Sequence, residues 1–141
     1  MIEKLTEQLR RDEGESLVAY QDHLGYWTIG VGRLIDHRKG GGITRDESAM
    51  LLANDIQHIL TLLPKRIPFF HKLDDARKGA LCNMAFQMGV GGLMSFATTL
   101  DHLSRGEFEK AADAMLFSKW AHQTPQRAAR ISNQIRTGEW Q

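Results

Sequence analysis

Three polar side chains near the start of the chain have the types and spacing for acid–base chemistry. Glu13, Asp22 and Thr28 follow one another at intervals of nine and six residues. Glu13 falls at the C-terminal end of a helix, where the macrodipole is negative and favours the neutral carboxyl that a general acid needs. Asp22 falls at a hairpin turn, where solvent favours the carboxylate. Thr28 falls on the following strand, where its hydroxyl can hold a water. A proton donor, a carboxylate base and a water-holder are the parts needed to hydrolyse a glycosidic bond. The same residues have a blander reading. With seventeen acidic side chains in the chain, some Glu–Asp pair beside a turn is expected, and both would then be solvated surface carboxylates. Spacing alone leaves both readings open.

The elements that must position these groups follow from the periodicity. Ile2, Leu5 and Leu9 share one face of a helix over residues 2–12, and Gly14 is placed to end it. From Leu17 to Gly32 the helical period fails. Tyr20, Tyr26, Trp27, Thr28, Ile29 and Val31 are strand formers, and His23-Leu24-Gly25 supplies a turn. Residues 36–42, Asp-His-Arg-Lys-Gly-Gly-Gly, read as a charged flexible loop. Thr44-Arg45-Asp46-Glu47 has the form of a capping box. The helix it starts is expected to end near Leu63, before Pro64, after roughly nineteen residues and about 29 Å, long enough to connect two lobes. Everything after Pro68 reads as helices: 75–88 closed by Gly89, a stretch with Met94, Leu100 and Leu103 up to Gly106, a helix from Glu107 to Phe117, and a last one to Arg136. Thr124-Pro125 reads as the N-cap and first position of that last helix.

Composition narrows the class. The chain has 141 residues, 42% hydrophobic and 25% charged, which fits one folded domain, or one pinched into two small lobes, and excludes general disorder. Residues 1–60 carry seven Lys/Arg against ten Asp/Glu, and residues 61–141 eleven against seven. Those balances of −3 and +4 are too mild for a nucleic-acid binder, though a basic C-terminal part suits an anionic surface polymer. No apolar run approaches the length of a membrane span. The charged N-terminus lacks the apolar core of a secretory signal, so the expectation is a cytoplasmic protein that cannot leave by itself. Cys82 is the single cysteine, excluding an internal disulfide, and reads as a small buried apolar residue. The six methionines read as core filler.

Asp12-Glu13-Gly14, Ala19-Tyr20-Gln21-Asp22 and Gly25-Tyr26-Trp27-Thr28-Ile29-Gly30-Val31-Gly32 closely resemble the catalytic segment of the phage-type (T-even phage) lysozymes. The resemblance continues through Ile43–Glu47, Leu81–Gly89, Trp120–Arg127 and Arg136–Trp140, and so covers nearly the whole chain. It implies an α+β, mainly α fold: a β-containing lobe at 14–44, a connecting helix at 45–63, and a helical lobe from 1–13 and 64–141, with the active-site cleft between. It also implies an endolysin, a muramidase that hydrolyses the β-1,4 bond between N-acetylmuramic acid and N-acetylglucosamine with inversion. Glu13 would be the general acid, and Asp22 with Thr28 would activate water. Inversion requires the two carboxyls to stand roughly 6.5–9.5 Å apart.

Carried over by position, Leu34, Phe86 and Thr99 match glycan-contacting residues, and Arg127 matches a basic residue facing the catalytic acid. By spacing alone, Phe86 reads as a core aromatic and Arg127 as a solvated charge. Asn83 and Gln87, four apart on one helix, are placed either to face the cleft or to satisfy backbone groups. No metal or organic cofactor is implied. The partners implied are peptidoglycan glycan strands, without nucleic acid or membrane insertion. A monomer is expected to wait in the host cytoplasm and reach the wall through a pore made by a holin. The chain departs from the pattern in several places, among them a loop to Ile43 far shorter than in the best-known member and a trimmed tail after Trp140. Arg33 stands where the family usually has His, and an ion pair with Asp55 is expected; Ala114 replaces a polar glycan-contacting position. A wall-binding module should have lost one of the three catalytic residues, and a lytic transglycosylase needs no water-activating Asp, so Asp22 and Thr28 weigh against both.

Overall fold

The computed structural model describes residues 1–37, 39–40 and 42–141. The expected 36–42 loop therefore includes two positions, 38 and 42's neighbour 41, that lie outside the described residues. The chain separates into two compact units, Met1–Leu51 and Leu52–Gln141. Among the described residues there are seven α-helices and one three-stranded antiparallel sheet, an α+β, mainly α fold as expected.

In the first unit, α1 (Ile2–Glu13) ends where the Gly14 N–H donates to the Arg10 carbonyl. By its contacts this helix falls with the sheet, whereas the sequence reading set residues 1–13 with the helical lobe. Strands β1 (Ser16–Gln21) and β2 (Trp27–Gly30) form the expected hairpin, pairing Tyr20 with Thr28 and Gln21 with Trp27. A short β3 (Arg33–Leu34), not foreseen, adds to the free edge of β2, pairing Leu34 with Thr28 and Arg33 with Ile29.

Helix α2 (Arg45–Arg66) starts in the first unit and continues in the second. The capping box is formed as read: Glu47 N–H donates to Thr44 Oγ1 at 3.1 Å, and Thr44 N–H donates to Glu47 Oε2 at 3.1 Å. The expected stop before Pro64 is overturned. Proline removes one N–H from the ladder, but the Ile67 N–H still reaches the Leu63 carbonyl at 2.8 Å, so the last turn survives.

The second unit continues with a 3₁₀ turn (Phe70–Lys72), α3 (Asp75–Met94), α4 (Ala97–Ser104), α5 (Phe108–Met115), α6 (Lys119–Gln123) and α7 (Pro125–Thr137). Gly89 interrupts α3 with φ 79°, where the sequence reading closed that helix. Helix α7 packs against α3, α5 and α6, and α5 against α4. Leu63, Ile67, Leu81, Met84, Leu93 and Ile135 are sealed within this core. Met84 and Met115 fill it as expected, while Met1 and Met50 are exposed.

Arg77 closes the C-terminal end of α7 onto α3. Its Nε donates to the Ile135 carbonyl at 2.7 Å, and its guanidinium lies 3.5 Å from the Phe108 ring centre. Thr124 does not cap α7 with its side chain; its hydroxyl donates to the Trp120 carbonyl at 3.1 Å, a bond available because α6 ends there. Among the described residues no single helix is long and apolar enough to cross a membrane. Only α3 and α4 jointly reach that length and apolarity, across a 95° bend.

Candidate active site

All three residues of the candidate constellation lie in the first unit, one each from α1, the hairpin turn and β2. Glu13 is the last residue of α1, and its side chain lies over Gly32. A Cβ at position 32 would stand 2.9 Å from Glu13 Oε2 and 3.4 Å from its Cβ. Gly32 also has φ 67°, so both the backbone and the close approach require glycine there.

Asp22 is held by the turn that it builds. Its Oδ1 accepts from the Leu24 N–H at 2.9 Å and the Tyr26 N–H at 2.8 Å. Its other oxygen has no partner among the described residues. Thr28 is buried, 3% exposed, and its hydroxyl donates to the Tyr26 carbonyl at 3.1 Å, leaving its lone pairs free to accept from a water. The Asp22 N–H donates to that same carbonyl at 2.8 Å. The backbone N–H and C=O of Tyr26 thus hold the Asp22 and Thr28 side chains, respectively. Sequence reasoning missed this role; its only signal was the position of Tyr26, four residues past an aspartate at a turn.

Arg33 is ion-paired with Glu47, not with the expected Asp55. The capping box explains the choice. Glu47 Oε2 is already held by the Thr44 N–H, which presents Oε1 in a fixed position to the guanidinium. Asp55 lies eight residues further along α2 and has no ion pair among the described residues. Leu34 sits on β3 opposite Thr28, half exposed.

Of the residues expected from the second unit, Phe86 is not core. It is half exposed and lines an apolar pocket of about 310 Å³ with Ile56, Cys82, Asn83 and Arg127. Burial pushes the Cys82 thiol up from its ordinary range, which keeps it in the inert protonated form. Arg127 is clamped on Asn83, with Nε and Nη2 reaching Oδ1 at 2.9 and 2.7 Å. Gln87 supports the fold: its Oε1 accepts from the buried Trp120 indole N–H at 2.8 Å. Thr99 is buried on α4 and lines a second pocket of about 240 Å³ together with Ala114. Among the described residues, no group of three or more His, Cys, Asp or Glu side chains is arranged to hold a metal ion.

The phage lysozyme family model matches residues 10–135, a span that includes Glu13, the hairpin and most of the helical unit. Fold and matched segment together define a lysozyme, a glycoside hydrolase. Similar proteins include "Probable T4-type lysozyme 1" of Dictyostelium discoideum, 32% identical over 98% of this chain and 96% of that one. "Endolysin" of Salmonella phage P22 is 34% identical over 84% of this chain and 82% of its own length. "Pre-baseplate central spike protein Gp5" of Enterobacteria phage T4 is 36% identical over 95% of this chain, which spans only 28% of that protein. The chain belongs to the phage lysozyme family.

Proposed function

We propose that this lysozyme is an endolysin-type muramidase that hydrolyses the β-1,4 bond between N-acetylmuramic acid and N-acetylglucosamine, with inversion. Glu13 gives its proton to the departing glycosidic oxygen as the bond to the anomeric carbon breaks. Water, held by the Thr28 hydroxyl, attacks that carbon from the opposite face and passes its proton to Asp22. The chain needs no metal or organic cofactor for this displacement, because one acid, one base and water balance it. The observation that carries the reading is the common anchoring of Asp22 and Thr28 on Tyr26, which leaves one carboxylate oxygen and one hydroxyl ready for the same water.

Leu34, Phe86 and Thr99 contact the glycan, and the Gln87 amide NH₂ remains to donate to it while its oxygen holds Trp120. Arg127 and Arg33 support the site through Asn83 and Glu47. The protein works as a monomer on peptidoglycan strands, binding no nucleic acid and inserting into no membrane. It passes from the host cytoplasm through a pore made by a holin and causes lysis.

Digestion of purified peptidoglycan in heavy-oxygen water, read by mass spectrometry, tests the reaction. Reducing N-acetylmuramic acid ends carrying one heavy oxygen are expected. Anhydro ends would make the protein a transglycosylase, and an undigested wall would make it a binding module.

A further inference from the structure

Glu47 makes two bonds, and the helix that it caps needs only one of them. Its Oε2 accepts from the Thr44 N–H at 3.1 Å, closing the capping box of α2. Its Oε1 accepts from the Arg33 guanidinium on β3. Burial does not hold that strand. It is two residues long, both exposed, and it is joined to β2 through Gly30 and Gly32, each at φ 67°. Yet β3 borders two of the candidate catalytic groups. Leu34 pairs with Thr28, which has Tyr20 on its other side, so β3 is one of the two walls that fix the Thr28 backbone. Gly32, the residue before Arg33, lies beneath Glu13, whose Oε2 stands 2.9 Å from the place a Cβ would take.

We propose that Glu47 is a positioning residue for glycan cleavage: through Arg33 it holds β3 and the Gly32 turn, and so sets where the Glu13 carboxyl and the Thr28 hydroxyl stand. The proposal rests on the muramidase reading above. An exposed ion pair ordinarily contributes little, because two long side chains must be ordered to form it. Here the Thr44 N–H orders the carboxylate beforehand, and only Arg33 has to be fixed. The pair is suited to setting a position more than to adding stability. A displacement of a fraction of an ångström at the reacting groups is enough to lower a rate.

Glu47→Gln separates the two bonds. Glutamine still accepts from the Thr44 N–H, but its NH₂ group would then face the guanidinium, donor against donor. Initial rates on soluble, uncrosslinked peptidoglycan strands should show kcat about tenfold lower, KM within about twofold, and a melting temperature within about a degree of the parent. Arg33→Met should reproduce that loss, and adding it to Glu47→Gln should lower kcat no further. Arg33→Lys, which can still make the single contact, should keep kcat within about threefold. Hydrogen exchange reads the position without turnover. The Ile35 N–H, bonded to the Trp27 carbonyl at 2.9 Å, should exchange faster in Glu47→Gln, whereas the Ser48 N–H, bonded to the Thr44 carbonyl at 2.9 Å, should not. Unchanged kcat in Glu47→Gln would overturn the proposal, as would a fall in kcat matched by a fall in melting temperature, the mark of a helix cap alone. If the unmutated chain cleaves no strand, the muramidase reading fails. Faster Ile35 exchange would then keep Glu47 as the anchor of β3, and unchanged exchange would remove that as well.

Discussion

In Leu52–Gln141, side chains such as Leu63, Leu81, Met84 and Ile135 are sealed from solvent, whereas in Met1–Leu51 the one buried residue among those described is Thr28. The helical unit is ordered by apolar burial, which is collective and tolerant of local polar change. The sheet-bearing unit is ordered by directed bonds: Asp22 onto the turn, Thr28 onto Tyr26, and the Thr44–Glu47 box. The candidate chemistry sits where the bonds are specific and the core is thin. Damage to stability and damage to activity should therefore separate by unit.

The largest expected effect lies in the helical unit. Leu81→Ala or Met84→Ala empties a fully buried site and should cost about 2–5 kcal/mol, seen as a lower denaturant midpoint with unchanged slope. A loss below the range for surface changes would mean that this core is not what orders the unit. In the other unit, Gly32→Ala must adopt positive φ and push its methyl into Glu13, at a cost of about 1–2 kcal/mol. Wall-clearing activity should fall far more than the melting temperature. An equal fall in both would erase the proposed separation.

A smaller effect tests the dual use of Gln87. Gln87→Leu leaves the Trp120 indole N–H without its acceptor and should destabilise the helical unit by about 1 kcal/mol, measured by thermal melting. Unchanged melting with weakened glycan binding would return Gln87 to a purely substrate-facing role.

The smallest effect is in acid. Burial tends to raise the pKa of Asp74, but hydrogen bonds from the Arg77 side chain and backbone outweigh it and hold the carboxyl below its ordinary value. A depressed carboxylate contributes stability at pH above its unfolded value and loses it as pH falls through the folded one. Asp74→Asn keeps an acceptor at the α3 N-cap but removes that dependence, so its melting temperature should fall less than the parent's between neutral and acid pH.

What was legible in the sequence was local. The capping box, the hairpin and the α1 stop are decided by residues within a few positions of one another, and each forms as read. The five-residue α6 is too short to show a period, and β3 offers only two residues to a pattern search. Errors at the site arose where a side chain chose among competitors. Arg33 had three acidic residues on α2 as candidates, Asp46, Glu47 and Asp55, and Glu47 was already oriented by its cap. Thr124 had the N-cap pattern, but the Trp120 carbonyl ending α6 competed for its hydroxyl. Phe86 has core-like helical spacing, and no local rule says which face of α3 lines a pocket.

The central claim is that Glu13 supplies the proton from a unit whose order does not depend on it. Turbidity loss of outer-membrane-stripped bacteria, followed with the unmutated chain and with Glu13→Gln at matched concentration, tests this most directly. The glutamine has nearly the same shape and cannot donate a proton to the leaving oxygen. Lysis should be abolished while the melting temperature stays within a degree or so, since Glu13 is an exposed residue outside the core. Clearing at a comparable rate by Glu13→Gln would contradict the account.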